Sequence, residues 1–169
     1  MSIKEALPAS ERSEPQPGAW LDPKDFESVV RLTPLIAIDL IVRSPEGRIL
    51  VGRRKNEPAR NTLFVPGGRI TKNETKAAAF RRLTREELGV EIGIEEARFI
   101  GAYEHFYATN RLGKPGFGTH YIVLAYALNR SVPAEALPND QHGEYVWMGP
   151  SELLACAEVH ENTKAYFRT

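Results

Sequence analysis

The sequence is short of several features that mark specialised classes of protein. Its 169 residues include a single cysteine, Cys156, so no disulfide can form within the chain, which fits a reducing compartment. Basic and acidic residues number 22 each, and this zero net charge gives no general attraction for a polyanion such as nucleic acid. No apolar run approaches the length of a membrane span, and the first residues lack the apolar stretch of a secretory signal. We therefore expect a cytoplasmic protein with neither a nucleic-acid nor a membrane partner.

The length predicts one domain behind a polar extension. Residues 1–19 are polar and contain three prolines, so we expect a flexible N-terminal extension. Residues 20–169 are long enough to bury a core as a single domain. No internal repeat or long low-complexity segment interrupts this range.

Apolar patterns predict alternating strands and helices. Asp22 is placed to cap a short helix that begins at Pro23. Strands are predicted over residues 35–43, 48–52, 91–94, 97–106, 119–128 and 144–148. Glycine and proline predict a mobile loop over 108–118, a second polar loop covers 131–142, and helical sequence begins at Pro150. A hairpin, a central helix, further strands and terminal helices indicate an α/β or α+β fold.

The most informative stretch, residues 67–90, reads GGRITKNETKAAAFRRLTREELGV. Its glycine pair permits close approach of the backbone to a ligand. Residues 73–75, Asn-Glu-Thr, offer a signal for the start of a helix, and Gly89 stands where the helix would end. On a helical wheel Glu87 falls on the apolar side, near Phe80, where an uncompensated carboxylate is costly. A divalent cation or an arginine from elsewhere could compensate it. Arg82 and Glu86 are four residues apart and can pair.

Other polar residues also have two interpretations. Asp39 interrupts an aliphatic strand and is either a member of a structural ion pair or part of a ligand site. The basic residues 53–55 form either a solvated strand end or an anion site suited to phosphate. Trp20 and Phe26, judged from periodicity alone, anchor the N-terminal side of the domain on the core.

The central stretch resembles the Nudix box. That box has a glycine, five residues, Glu, seven residues, then Arg-Glu-U-x-Glu-Glu-x-Gly-U, where U is bulky and aliphatic. The matching positions are Gly68, Glu74, Arg82, Glu86, Glu87, Gly89 and Val90. Leu83 replaces a glutamate of the box, and Thr84 replaces an aliphatic residue. The resemblance implies an α/β/α sandwich around a mixed β-sheet. Because positions 83, 86 and 87 share a helix face, it also implies fewer metal ions than the full carboxylate set would hold.

Further stretches resemble one branch of this family, the GDP-mannose mannosyl hydrolases, and that branch also carries leucine at the position of Leu83. The similar stretches are residues 25–26, 33–35, 64–69, 105–107, 119–121 and 141–142. By this resemblance the Gly67 carbonyl, Glu87 and Gln141 hold one Mg²⁺, for which Mn²⁺ can substitute. His142 corresponds to the general base and Arg54 to the residue that assists departure of GDP. Further catalytic positions correspond to Asp39, Arg69 and Tyr121, and substrate-binding positions to Trp20, Leu21, Phe26 and Arg54. Without the resemblance, His142 reads as a surface histidine and Tyr121 as a core residue.

The resemblance implies Mg²⁺-dependent hydrolysis of GDP-mannose and GDP-glucose to GDP and free sugar, by a homodimer. Water attacks the anomeric carbon, and the sugar is released with inversion. One alternative is a conventional Nudix pyrophosphohydrolase that attacks phosphorus in a nucleoside diphosphate derivative. Another is a Nudix module that binds a nucleotide sugar without catalysis. Leu83 argues against the first alternative, and retention of Glu86 and Glu87 argues against the second.

Overall fold

The fold is a divided mixed sheet with helices on both faces, seen in a computed structural model that describes residues 20–130, 132, 137–138 and 142–168. The helices are α1 (Pro23–Leu32), α2 (Lys76–Leu88), α3 (Pro150–Ala155) and α4 (Glu161–Ala165). The strands are β1 (Leu35–Arg43), β2 (Ile49–Arg54), β3 (Leu63–Phe64), β4 (Gly67–Arg69), β5 (Arg98–Tyr107), β6 (Thr119–Asn129) and β7 (His142–Met148). The predicted extension over residues 1–19, and Gln141, lie outside the described residues.

β1 is the strand beside which the sheet divides. It runs parallel to β6 along its whole length on one edge, and β5 pairs with the far side of β6. On the other edge β1 meets β4 over residues 37–39, but it meets β2 only at Arg43. β2 continues away from β1 and pairs with β3 and β7. The mixed sheet of the prediction is confirmed, and its division leaves Asp39 at the end of the β1–β4 pairing.

Both faces of β1 are covered, as its nearly continuous aliphatic run predicts. On one face Ile38, Leu40 and Val42 pack with Phe80 and other residues of α2. On the opposite face Ile41 packs in a second cluster that takes in residues of α3 and of the segment before α4. These two apolar layers make the helix–sheet–helix sandwich, because each helix buries one stripe against the sheet.

α2 begins and ends where its local signals predict. The Thr75 hydroxyl accepts a hydrogen bond from the Ala78 backbone N–H at 3.1 Å and caps the helix. Gly89 closes the helix with a φ of 70°, in the left-handed region that glycine adopts at little cost. Together these caps fix the phase of the helix, and with it the side on which Glu87 lies.

The prediction of a strand over residues 91–94 is wrong. Ile94–Glu96 forms a 3₁₀ turn, and strand structure resumes only at Arg98. The reason is Thr84, which is fully buried and whose hydroxyl accepts the Ile92 backbone N–H at 3.0 Å. A side chain thus satisfies the backbone group that a neighbouring strand would otherwise engage. This contact also explains a threonine at a position where the Nudix box has an aliphatic residue.

The N-terminal side of the described chain follows the prediction only in part. Asp22 caps α1 by accepting the Lys24 N–H at 2.9 Å, and Pro23 stands in the first turn. Phe26 is buried, but Trp20 is 70% exposed, so the expectation that Trp20 anchors on the core is wrong. Within the described ranges, no helix combines the length and apolar character that a membrane crossing requires.

Candidate active site

A cleft lies beside the division of the sheet and gathers residues that are far apart in the sequence. Backbone pairing places Asp39 opposite Gly67 and Ala37 opposite Arg69. The predicted site residues that line this cleft are Trp20, Asp39, Arg54, Gly67, Arg69 and Tyr121. The cleft therefore runs along β1 and β4, from Trp20 and Arg69 at one end to Asp39 and Gly67 at the other.

The remaining predicted residues lie around this cleft or outside the described chain. Phe26 lies under the Arg69 guanidinium, and Leu21 packs with Phe26 in a small apolar cluster. The backbone of His142 begins β7 and pairs in register with Arg54. Glu87 is 1% exposed on α2. Gln141 is not among the described residues, so its predicted role stays a prediction.

The glycine pair lets β4 approach β1 and α2 more closely than other residues could. A Cβ atom on Gly67 would lie 2.4 Å from the Ile38 carbonyl oxygen and 2.6 Å from Asp39 Oδ1. A Cβ atom on Gly68 would lie 2.5 Å from Leu83 Cδ2. All three separations are shorter than real Cβ contacts, so a side chain at Gly67 would clash with the β1 backbone and one at Gly68 would displace the buried Leu83 side chain. The same contact shows what Leu83 does, since this buried side chain packs directly against the Gly68 backbone.

Arg82 connects three parts of the Nudix-like stretch. Its guanidinium donates to both carboxylate oxygens of Glu74 at 2.7 and 2.8 Å, and to the Arg69 carbonyl at 2.9 Å. It also donates to Glu86 at 2.9 Å, which confirms the predicted pair four residues apart. The hydrogen bonds to Glu74 raise the pKa of Arg82 above its ordinary value. Arg82 therefore fixes loop, strand and helix relative to one another and holds Glu86 at the wall of the cleft.

Asp39 is a buried carboxyl group joined to two residues that the sequence did not assign to the site. The Tyr166 hydroxyl donates to Asp39 Oδ2 at 2.6 Å, and the oxygen of that hydroxyl lies 3.1 Å from His105 Nε2. Burial raises the pKa of Asp39 from 3.8 to about 7; Tyr166 and Arg54 oppose this rise, and the Glu87 charge adds to it. Burial, with a smaller effect of His160, lowers the pKa of His105 from 6.5 to about 4. The imidazole of His105 is therefore neutral near pH 7.

Oxygen donors at this end of the cleft fit a hard divalent cation. Glu87 and Asp39 are both buried and interact electrostatically, a repulsion that a bound cation would relieve. The Gly67 backbone lies against Asp39. Within the described part of the chain, no three His, Cys, Asp or Glu side chains form a metal cage. Mg²⁺ is usually held by one or two carboxylates and keeps positions for substrate and water.

The other end of the cleft is cationic and aromatic. The Arg69 guanidinium lies over the rings of Phe26, at 4.4 Å, and Trp20, at 5.2 Å. Arg111 also lies over the Trp20 ring, at 5.4 Å. Arg54 lines the cleft and lies over the Phe64 ring, at 5.7 Å. Three guanidinium groups on one cleft form a site for an anionic ligand, and the exposed Trp20 offers a ring face beside them.

Arg111 was missed because its loop carries no local signal of function. We expected residues 108–118 to be mobile, yet the buried Asn110 side chain organises this loop. Its amide donates to the Lys114 and Phe117 carbonyls, both at 2.8 Å, and its oxygen accepts two backbone N–H groups at 3.1 and 3.2 Å. Lys114 forms a salt bridge with Glu27 of α1. The loop is thus an ordered element that positions Arg111.

Comparison with known proteins agrees with this geometry. Residues 33–168 match the model of the NUDIX domain. The chain is 41% identical over 112 residues to the low-salt glycan biosynthesis protein Agl8 of Haloferax volcanii, covering 66% of this chain and 69% of that protein. It is 29% identical over 130 residues to a Nudix hydrolase of Deinococcus radiodurans, covering 75% of this chain and 70% of that protein. Among solved structures, a MutT NUDIX hydrolase from Burkholderia pseudomallei superposes with a TM-score of 0.64 at 23% identity, over 80% of this chain and 96% of that one.

These matches agree on the family and on its general chemistry. The domain model covers the divided sheet, the glycine pair and α2, which carry the site. Nudix hydrolases act on small nucleotide derivatives and generally use divalent metals such as Mg²⁺. The chain therefore belongs to the Nudix domain family, whose hydrolase function it shares.

Proposed function

We propose that this protein hydrolyses GDP-mannose, and also GDP-glucose, to GDP and free sugar by attack of water on the anomeric carbon. The observation that carries the proposal is the burial of Leu83 at a position where the Nudix box has a glutamate. This side chain is 2% exposed and packs against Gly68, where the Nudix box would place a third carboxylate on the same helix face. With that carboxylate absent, the helix is less suited to a cluster of several metal ions that would activate water for attack on phosphorus. One metal at the diphosphate favours cleavage at carbon instead, with GDP as leaving group.

The arginines would bind and stabilise the departing diphosphate. The buried Nε atom of Arg54 has no hydrogen-bond partner among the described residues, and an unpaired buried donor is costly. A phosphate oxygen is the acceptor that fits a guanidinium fork. Arg54 would therefore stabilise negative charge as it develops on the leaving group, and Arg69 would hold the adjoining phosphate.

The metal would be held by Glu87, the Gly67 carbonyl and Gln141. When bound, Mg²⁺ would offset the charge of the diphosphate and so make GDP a better leaving group. Asp39 stands beside Gly67 at the same end of the cleft. Its carboxyl group would help to orient this end of the site.

His142 would act as the general base towards the attacking water. The backbone pairing of His142 with Arg54, which lines the cleft, supports this role. A histidine is suited to accept a proton near neutral pH. Direct displacement by water inverts the anomeric centre, and β-mannose would leave from the α-linked substrate.

The nucleoside would occupy the aromatic end of the cleft. Trp20 is 70% exposed, Phe26 and Leu21 pack together in a small apolar cluster, and a purine base stacks well on an aromatic ring. A nucleotide sugar is also the kind of substrate expected of a protein related to one named for glycan biosynthesis. We propose in addition that the protein is a cytoplasmic homodimer, with a single catalytic domain over residues 20–169. The dimer is checked by light scattering on the purified protein.

The test is to identify the products formed from GDP-mannose and Mg²⁺ in ¹⁸O-labelled water. We expect the label in free mannose and none in GDP. Label in GMP or in mannose phosphate would mean attack on phosphorus and would refute the proposal, although the family would stand. His142→Gln should lower the rate strongly, whereas His120→Gln, a matched change outside this cleft, should not. Binding of GDP-mannose and other GDP-sugars without turnover would favour a binding module.

A further inference from the structure

A tyrosine from the C-terminal helix region joins two buried groups at the reacting end of the cleft. Tyr166 lies 127 residues from Asp39 in sequence, yet its hydroxyl donates to Asp39 Oδ2 at 2.6 Å. The same hydroxyl oxygen lies 3.1 Å from His105 Nε2. Asp39 and His105 are 6% and 3% exposed, and both line the cleft.

The hydrogen bonds that link Asp39, Tyr166 and His105 determine which ring nitrogen of His105 carries the proton. Above about pH 7 the Asp39 side chain is a carboxylate and can only accept hydrogen bonds. A phenol has one O–H donor, and Tyr166 donates this hydrogen bond to the Asp39 carboxylate. Tyr166 stays un-ionised, because burial and then the Asp39 charge raise its pKa well above the ordinary value. Its oxygen can therefore only accept from His105, so the imidazole carries its proton on Nε2. Nδ1 of the neutral ring is left as a hydrogen-bond acceptor.

Packing holds the orientation that these hydrogen bonds require. The ring of Tyr166 meets Tyr103 edge to face, with centroids 4.7 Å apart. The imidazole of His105 lies among the rings of Phe64, Tyr107 and Tyr166, at centroid distances of 6.0, 6.3 and 5.9 Å. The other carboxylate oxygen of Asp39 is held against the Gly67 backbone. Only the Tyr166 hydroxyl connects the two buried groups through hydrogen bonds among the described residues.

We propose that Tyr166 is a positioning residue, which holds Asp39 in one orientation and His105 as the Nε2–H tautomer at the reacting end of the cleft. The consequence for the reaction rests on the proposed function, but the tautomer does not. The Nδ1 acceptor of His105 is then available to a hydroxyl group of the substrate or to a water in the cleft. Removal of the hydroxyl frees the imidazole to exchange tautomers and leaves Asp39 without its donor.

The test compares Tyr166→Phe with Tyr103→Phe, a matched control that removes a hydroxyl from the neighbouring ring outside the cleft lining. Each protein is labelled with ¹⁵N-histidine, and the ring signals are read at about pH 8.5, where free histidine is neutral. The His105 signals are assigned from a His105→Gln spectrum. Wild type and Tyr103→Phe should show the Nε2–H tautomer of His105, whereas Tyr166→Phe should show a mixture of the two tautomers.

The second measurement is the turnover of GDP-mannose. Tyr166→Phe should lose about tenfold to a hundredfold in kcat with little change in KM, as expected for one charge-assisted hydrogen bond. Tyr103→Phe should stay within about twofold of the wild type.

Three results would overturn the inference. The first is an Nδ1–H tautomer of His105 in the wild type, which decides the matter even if Tyr166→Phe does not fold. The second is an unchanged tautomer and unchanged kcat in Tyr166→Phe. The third is an equal loss of activity in both tyrosine variants with equally lowered melting temperatures, which would mean a packing role only. If the wild type hydrolyses no GDP-sugar, the proposed function fails, while the spectrum still decides on the tautomer.

Discussion

Replacing Asp39 with asparagine should stabilise the metal-free protein at neutral and higher pH. Burial raises the pKa of this carboxyl group from 3.8 to about 7, so ionisation of the folded protein is unfavourable. The difference corresponds to about 4 kcal/mol at a pH above both values. Asparagine is similar in shape, carries no charge, and keeps an oxygen that can accept from Tyr166. A weaker hydrogen bond to Tyr166 would cost about 1 kcal/mol, which leaves a net gain of about 3 kcal/mol.

The stability that Asp39→Asn gains over the wild type should increase as the pH rises. Below about pH 4 the carboxyl group is protonated in both the folded and the unfolded chain, so the wild type and Asp39→Asn should differ little in stability. Between about pH 4 and 7 the unfolded carboxyl group loses its proton while the folded one retains it, and the wild type loses stability. Above about pH 7 the difference stays constant. The advantage of Asp39→Asn should therefore grow from pH 4 to 7 and then level off.

Thermal unfolding in the presence of EDTA, from pH 4 to 8.5, measures this advantage. For a chain of this size about 3 kcal/mol corresponds to a rise of roughly 6 to 12 °C in the melting temperature. Glu104→Gln is the matched control, because Glu104 is an exposed carboxylate on β5 and its change to an amide should leave the melting temperature near that of the wild type. Saturating Mg²⁺ should reduce the advantage of Asp39→Asn, because a cation beside Asp39 favours its ionised form.

A melting-temperature difference that is the same at pH 4.5 and pH 8 would refute this reasoning. So would destabilisation by Asp39→Asn at pH 8 without metal. Either result would mean that the Asp39 carboxylate is stabilised in the folded protein by its partners, despite its burial.

Two further predictions concern the wall and the far end of the cleft. Leu83→Ala should destabilise the protein by about 3 kcal/mol, because it empties a buried site against Gly68, and should lower the melting temperature by roughly 6 to 12 °C. Leu32→Ala, at a leucine that is 69% exposed, is the control, and an equal effect of the two would contradict the packing described here. Arg111→Ala should raise KM for GDP-mannose about tenfold with kcat little changed, as expected when binding is lost away from the reacting atoms. A loss confined to kcat in steady-state kinetics would mean that Arg111 belongs to the reacting end.

The two ends of the cleft have different electrostatic characters, and the fold is the cause. The end at Trp20 is built from α1, β4 and the ordered loop 108–118, which bring Arg69 and Arg111 to one tryptophan ring. The end at Asp39 lies where β4 leaves β1, and Tyr166, which follows α4, donates a hydrogen bond to Asp39 there. A ligand that spans the cleft would therefore place an anionic or planar aromatic group at the first end. Its reacting centre would lie at the second end, among buried carboxylates.

Local features of the sequence predicted the elements that depend on near neighbours. The limits of α2 follow from Thr75 and Gly89, and the ion pair between Arg82 and Glu86 follows from their spacing on a helix. The nearly unbroken aliphatic run of β1 indicated a strand covered on both faces. Such features are decided within one or two turns of chain, so a single sequence contains them. The spacing of the Nudix box belongs to the same class, because it is contained in one strand–loop–helix unit.

Tertiary structure decided the features that depend on residues far apart in the chain. Tyr166 reaches Asp39 only because α4 packs beside the sheet, and no local pattern marks that tyrosine. The Thr84 hydroxyl accepts a hydrogen bond from the Ile92 backbone N–H, and a turn forms where a strand was predicted over residues 91–94. The buried Asn110 ordered a loop whose composition indicated mobility. The sequence by itself thus determined the family, the central helix and the candidate site residues. The sheet's division, the raised pKa of Asp39 and the tautomer proposed for His105 depend on the tertiary structure, because burial and long-range hydrogen bonds exist only in the folded chain.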